Sequence, residues 1–166
     1  FRSPLLHHEV GTHVVTYQNG ARQPLRLLTI GLPGYDETQE GLAVLAEYLT
    51  GGLDPRRLRV LAARVVAIGK MLDGAGFLEI FESLRAEHQI PTRTAWSIAI
   101  RVVVGGGSVK DAIYLRGITR ILDALAEGSS LDVLFVGKLA LDHIPLIQDL
   151  LDREVLHPPW VRPRWL

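Results

Sequence analysis

The sequence predicts a mainly α-helical protein. Apolar residues recur at three- and four-residue spacing through most of the chain, whereas alternating β-branched runs bounded by turns are scarce. With 166 residues, 48% of them hydrophobic, the chain is long and apolar enough to bury a core without disulfides. Its 18 basic and 18 acidic residues give a formal net charge of zero, which argues against a nucleic-acid partner.

Glycine, proline and capping residues divide the chain into eight predicted helices. Asn19-Gly20 favours a left-handed stop after the first helix. Asp54 is an N-cap residue before a proline suited to the first helical position, and Ser130 is a second N-cap residue. The run Gly105 to Gly107 ends another helix. The predicted ranges are about 4–18, 36–50, 55–73, 77–88, 91–104, 109–126, 131–136 and 142–151.

We expect residues 1–157 to form one helical domain and residues 158–166 to form an extended tail rich in Pro, Trp and Arg. Trp96 lies on an apolar stripe and is predicted to be in the core. Trp160 and Trp165 in the tail are predicted to pack against the domain.

The sequence also bears on where the protein works. No apolar run approaches the ~20 residues that span a bilayer, so no membrane association is predicted. The absence of cysteine excludes thiolate metal ligands and fits a reducing compartment, so we expect a cytoplasmic protein. Any metal ion must therefore be held by histidine and carboxylate side chains.

The segment that indicates chemistry is His8-Glu9-x-x-x-His13 near the start of the chain. It resembles the zincin pattern His-Glu-x-x-His, in which both histidines share a helix face and bind zinc, while the glutamate is the general base. Here the histidines are five residues apart, which rotates them by about 140° on a regular helix. Both reach one ion only if the turn widens into a π-bulge, and Gly11 lowers the steric cost of that distortion. We therefore predict a distorted metal-binding helix.

A third protein ligand is required, with water in the fourth position. Glu40 is the better candidate, because it lies one turn into the next predicted helix, where Gly41 and Ala43 leave room for a neighbouring helix. Glu37 is placed to hydrogen-bond a ligand imidazole instead, or to favour the positive helix terminus. The predicted ligands of a Zn²⁺ ion are His8, His13 and Glu40. Glu9 is then the base in peptide hydrolysis by a metal-activated water.

Beyond these motifs, the chain resembles a known family along nearly its whole length. The resemblance rests on His8-Glu9-x-x-x-His13, Gln39-Glu40-Gly41-Leu42-Ala43, Gly105-Gly106-Gly107, Lys110-Asp111 and Tyr114-Leu115-Arg116-Gly117. These residues are similar to the flavohaemoglobin expression-modulating QEGLA-motif proteins, whose eukaryotic relatives are the microtubule-associated tyrosine carboxypeptidases. The resemblance implies a zinc metallopeptidase with the same ligands and the same base.

The resemblance also implies a larger catalytic domain and a particular substrate. Family members carry a long region before the His-Glu motif, so we expect this chain to be part of an α/β catalytic domain whose missing N-terminal region completes the cleft. A peptide or protein C-terminus is the expected substrate, and its carboxylate needs a cation, for which we name Arg101, Lys110 and Arg116. Tyr114 is the predicted donor to the oxyanion.

Two other functions are compatible with the sequence. In the first, the chain is a regulatory or interaction protein that keeps a zinc site without catalysis. In the second, it is a helical scaffold that binds no metal. Metal content separates the scaffold from the other two, and Glu9→Gln separates catalysis from regulation, because a base is needed only for turnover.

Overall fold

The computed structural model describes residues 4–105 and 108–166, the side chains of residues 108, 109 and 111 excepted. The described residues are mainly helical and contain no β-strand. They form two compact units, the first comprising Phe1–Gly52 and Arg116–Leu166 and the second Leu53–Leu115. The division into a domain of 1–157 and a tail of 158–166 stays a prediction.

The first unit begins with three consecutive helical segments: α1 (Pro4–His8), a π-helical turn π1 (Glu9–Val14) and α2 (Val15–Gly20). The one-turn helix α3 (Leu27–Ile30) and the long helix α4 (Tyr35–Leu49) follow. The unit is completed by the end of α8 (Ser108–Ala126), the short α9 (Leu131–Leu134), a 3₁₀ turn (Leu141–His143) and α10 (Ile144–Asp152).

Helix α4 is the centre of this unit, since ten of its fifteen residues are buried, and α1 and π1 pack against it. On another side it meets α8, where Gly41 faces Gly117. A Cβ atom at Gly41 would collide with the backbone of Gly117. The prediction that Gly41 admits a neighbouring helix is therefore confirmed, and that helix is α8.

The C-terminal tail packs on α2 through two buried polar side chains. Asn19, which is 1% exposed, donates to the carbonyls of Phe135 (2.7 Å) and Val161 (2.8 Å) and accepts from the amide of Val161 (2.9 Å). Gln23 donates to the carbonyl of His157 (2.8 Å) and accepts from its amide (2.9 Å). The predicted left-handed stop at Asn19-Gly20 is wrong, because both residues are helical and Asn19 instead binds the tail.

The second unit contains α5 (Pro55–Leu72), α6 (Phe77–Ala86), α7 (Thr92–Val103) and the start of α8. As predicted, Asp54 caps α5 by accepting from the amide of Arg57 (2.7 Å). Buried residues of α5, α6 and α7 form its core. Trp96 is 50% exposed, which corrects the prediction of a core residue; only one side of its ring packs, edge-on, against Phe77 and Phe81.

The predicted helix ranges agree with the structure to within a few residues, apart from two short elements, α3 and the 3₁₀ turn before α10. The turn α3 lay in a stretch predicted to be irregular, because one helical turn has no apolar periodicity to detect. Helix α9 ends at Leu134, two residues early, and a 3₁₀ turn precedes α10. Gly105 has the expected positive φ of 79°, whereas Gly106 and Gly107 lie outside the described residues. None of the described helices has the length and apolar character that a membrane crossing needs.

Candidate metal centre

The π-helical turn brings His8 and His13 together. In π1 the amide of Val15 donates to the carbonyl of Val10, five residues back, instead of the α-helical four. Each turn thus holds one more residue, and the five-residue spacing of the histidines places both on one side of the helix. Their ring centroids are 5.4 Å apart, with the planes at 75°. The structure contains the distortion that the sequence predicted.

Helix α4 adds a carboxylate between the two rings. Oε2 of Glu40 lies 3.5 Å from Nε2 of His8 and 3.7 Å from Nε2 of His13. All three ligand atoms of His8, His13 and Glu40 lie within 4.8 Å of one another, and His8 and Glu40 are buried. Among the described residues, the three that the sequence names as ligands thus form a group with the spacing to hold a metal ion, and their role as ligands stays a prediction.

The remaining ring nitrogens face acceptors, also from α4. Nδ1 of His8 lies 2.7 Å from Oε1 of Glu47, and Nδ1 of His13 lies 3.4 Å from Oε1 of Gln39. A neutral imidazole has one N–H donor and one acceptor nitrogen, so these contacts place the proton on Nδ1. In the neutral form of each ring, Nε2 then carries the lone pair that a metal ion binds, whereas the metal-free imidazolium of His8 carries a second proton there, toward Glu40.

The electrostatics of His8 show how strongly its surroundings favour a positive charge. Burial lowers the pKa of its imidazole, but the carboxylates of Glu40 and Glu47, which both hydrogen-bond the ring, outweigh that effect and raise the pKa to about 9. A divalent cation that replaces the proton on Nε2 would face the carboxylate of Glu40, while Glu47 keeps its contact with Nδ1. Two imidazoles and one carboxylate with an open fourth position suit a first-row transition metal ion, so the residues fit a metal site.

Glu37 does not contact either imidazole, which corrects the alternative that it supports a ligand histidine. Its carboxylate binds Arg116 and accepts from Arg120 at 2.9 Å, and Arg120 also donates to Asp142 at 2.6 Å. Burial raises the pKa of Glu37, but hydrogen bonds from the two guanidinium groups outweigh this and lower it below its ordinary value. Glu47 and Gln39 take the supporting role instead. Glu47 lies seven residues after Glu40, a spacing that places both on the same face of a helix. This spacing could have identified Glu47 from the sequence.

The other predicted site residues are placed as follows. Glu9 is exposed at the start of π1, next to the ligand His8. Arg116 lies in the first unit, where Glu37 anchors its largely exposed guanidinium. The second unit holds the exposed Arg101 and Lys110 and the partly buried Tyr114. The functional roles of all these residues stay predictions.

Comparison with known proteins identifies the family of the chain. The chain matches the family model described as microtubule-associated tyrosine carboxypeptidase over residues 2–166. That description supports a peptidase-type enzyme with a carboxypeptidase-related function, and it confirms the relation that the motifs indicated. No curated protein matches the chain, and no solved structure matches it. By this match over nearly its whole length, the chain belongs to the microtubule-associated tyrosine carboxypeptidase family.

Proposed function

We propose that the chain has the function of a zinc-dependent carboxypeptidase. His8, His13 and Glu40 hold the zinc ion, Glu9 is the general base, and the substrate is a peptide or protein C-terminus. The family gives the reaction class, and the ligand set favours zinc, because two imidazoles and a carboxylate in an open site are a catalytic zinc arrangement.

The observation that carries the proposal is the convergence of three elements on one point. The ligand atoms of His8, His13 and Glu40 lie within 4.8 Å of one another. Holding two imidazoles and a carboxylate this close needs the π turn, which is rare and tends to occur at functional sites. Acceptors on both Nδ1 atoms further fix the rings with Nε2 inward. A structural role alone explains neither the π turn nor the matching ring orientations.

The chemistry divides between the metal ion and the chain. When bound, zinc polarises the scissile carbonyl and lowers the pKa of water to about 7. The carboxylate of Glu9 accepts a proton from the attacking water and then delivers it to the leaving amine as the C–N bond breaks. Its exposure and its position beside His8 suit both steps. The carboxylates of Glu40 and Glu47 both face the ring of His8, at 3.5 Å and 2.7 Å. Glu9 is therefore the carboxylate that accepts the proton of the attacking water.

Arg116 is the described cation best suited to the substrate's terminal carboxylate. It is bound to Glu37, which lies about one helical turn before Glu40 on α4, so the residue that anchors the guanidinium is a neighbour of a proposed metal ligand. Because its side chain is 62% exposed, it keeps donors available for a second, bidentate carboxylate partner. Arg101, Lys110 and Tyr114 are proposed as further contacts for the carboxylate and the oxyanion.

The first test compares zinc content and turnover in three proteins: the unchanged chain, His8→Ala/His13→Ala and Glu9→Gln. Elemental analysis is expected to find about one zinc ion per chain, lost in the double variant and kept in Glu9→Gln. Release of a C-terminal residue from peptides, measured by mass spectrometry, is expected to fall by at least about 10²-fold in Glu9→Gln.

Three results would contradict the proposal. Zinc bound equally by the His8→Ala/His13→Ala variant would place the metal elsewhere. Full turnover by Glu9→Gln would show that Glu9 is not the general base. Full biological effect of this variant without turnover would favour the regulatory function.

A further inference from the structure

We propose that Trp165 is a positioning residue for the metal centre, because its indole braces the π turn that aligns His8 with His13. This inference rests on the proposed function, since it concerns how the chain shapes the zinc site. It adds a residue 152 positions after the second histidine that neither the motifs nor the family description assigns.

The contact is made at the middle of the π turn. Nε1 of Trp165 donates a hydrogen bond to the carbonyl of Gly11 at 3.3 Å. The indole also occupies the space that a side chain at position 11 would fill, since a Cβ atom there would lie 3.0 Å from Nε1 and 3.1 Å from Cδ1. Gly11 therefore does more than ease the backbone distortion: it admits the indole to the face of the turn.

Trp165 is itself held in place by the rest of the first unit. Its ring packs edge-on against Phe135, with 5.6 Å between centroids, and Phe135 is fully buried. The tail that carries it is anchored at Val161, whose backbone carbonyl and amide both hydrogen-bond the side chain of Asn19. Asn19 lies on α2, which directly follows the π turn. The indole thus joins π1 to a rigid part of the core.

Bracing this turn has a consequence for the ligands. A π turn is less favourable than the regular helix, and relaxation to α-helical geometry would rotate His8 and His13 about 140° apart. A group that contacts the turn only in its widened form stabilises that form. Trp165 contacts the carbonyl and the bare Cα side of Gly11 in the widened turn. On this proposal, those contacts are lost when the turn relaxes.

The test uses matched tryptophan variants of the same tail. Trp165→Phe keeps an aromatic ring against Phe135 but loses the N–H donor, and Trp165→Ala loses both contacts. Trp160→Ala is the control, because Trp160 lies in the same tail but stacks on Arg22, with 3.3 Å from its ring centroid to the guanidinium carbon, outside π1. Co²⁺ and Zn²⁺ affinities are measured by competition with a chelator. Thermal unfolding of the metal-free proteins and the visible spectrum of bound Co²⁺, which reports ligand geometry, are measured in parallel.

We expect Trp165→Phe to bind both ions about fivefold more weakly, which is the loss of one hydrogen bond, and Trp165→Ala at least tenfold more weakly with an altered Co²⁺ spectrum. Trp160→Ala should keep the affinity and the spectrum even where its unfolding temperature falls.

Unchanged affinity and spectrum in Trp165→Phe would overturn the inference while leaving the proposed function intact. Equal losses of affinity and of stability in Trp165→Ala and Trp160→Ala would also overturn it, since the role would then be structural only. A lack of metal binding by the unchanged chain would instead refute the proposed function, and this inference with it.

Discussion

Replacing Glu47 by leucine tests the arrangement that orients the first ligand. The carboxylate of Glu47 lies 2.7 Å from Nδ1 of His8, and both side chains are only 7% exposed. A charge-assisted hydrogen bond this short and this buried contributes about 1.5–3 kcal/mol. Loss of such a supporting partner weakens metal binding by about 10- to 100-fold, which corresponds to about 1.4–2.7 kcal/mol. The two estimates agree, so we expect Glu47→Leu to bind zinc about 30-fold more weakly, the middle of that range.

The assay is a competition titration with a chelator, under conditions where every variant is folded by circular dichroism. Glu47→Gln keeps an acceptor oxygen without the charge, so its loss of affinity should be smaller than that of leucine. Glu127→Gln removes an exposed carboxylate of the same unit and should leave the affinity unchanged. Nitrogen-15 spectra of the metal-free protein add a direct readout. The His8 proton, held on Nδ1 in the unchanged chain at high pH, should move toward Nε2 in Glu47→Leu.

The reasoning would be refuted if Glu47→Leu bound zinc as tightly as the unchanged chain. It would also be refuted if Glu47→Gln and Glu47→Leu lost the same affinity, because the acceptor and its charge would then make no separate contribution.

Three further predictions concern the frame around the site. Gly41→Ala should destabilise the first unit by at least about 3 kcal/mol in urea unfolding, because its Cβ meets the backbone of Gly117, which has no flexible end to move. Asn19→Ala removes three buried hydrogen bonds, so it should cost about 3 kcal/mol and lower Tm by roughly 6–12 °C in calorimetry; an unchanged Tm would contradict the anchoring of the tail. Glu37→Gln should cost on the order of 1 kcal/mol at pH 7. The folded-state pKa of Glu37 lies below 4.5, so its ion pairs stabilise the protein above that pH and lose their effect as the pH falls below it. The two unfolding curves should therefore converge in acid, and a constant difference would refute the assignment.

The grouping of His8, His13 and Glu40 could be predicted because the histidine pair depends on local geometry. A spacing of five between His8 and His13 is compatible with one shared ion only through a widened turn, and Gly11 inside that turn made the widening plausible. Glu40 followed from the need for a third ligand near the start of the next helix. These arguments use covalent connectivity and helix periodicity, which a sequence states directly.

Residues whose roles depend on tertiary packing were harder to assign. Asn19 looked like a helix stop because its side chain suits a turn, but the carbonyl of Phe135 and the backbone of Val161, 142 residues away, make it a buried anchor. Gln39 and Glu47 support the imidazoles only because α4 presents that particular face to π1. Glu37 was expected near an imidazole and instead pairs with arginines from α8, whose approach no local pattern reveals.

The π turn adds one residue to the helix without changing the direction of the residues that follow it. Deleting one residue between His8 and His13 would let the turn relax to an ordinary helix with a four-residue spacing, so His13 and Asn19 would keep their directions relative to His8. Inserting one residue there would instead turn His13 and everything after it by about 100° about the helix axis. His13 would then point away from Glu40, and Asn19 would point away from Val161, so the tail would lose its attachment. One insertion in this segment therefore breaks two separate sets of contacts.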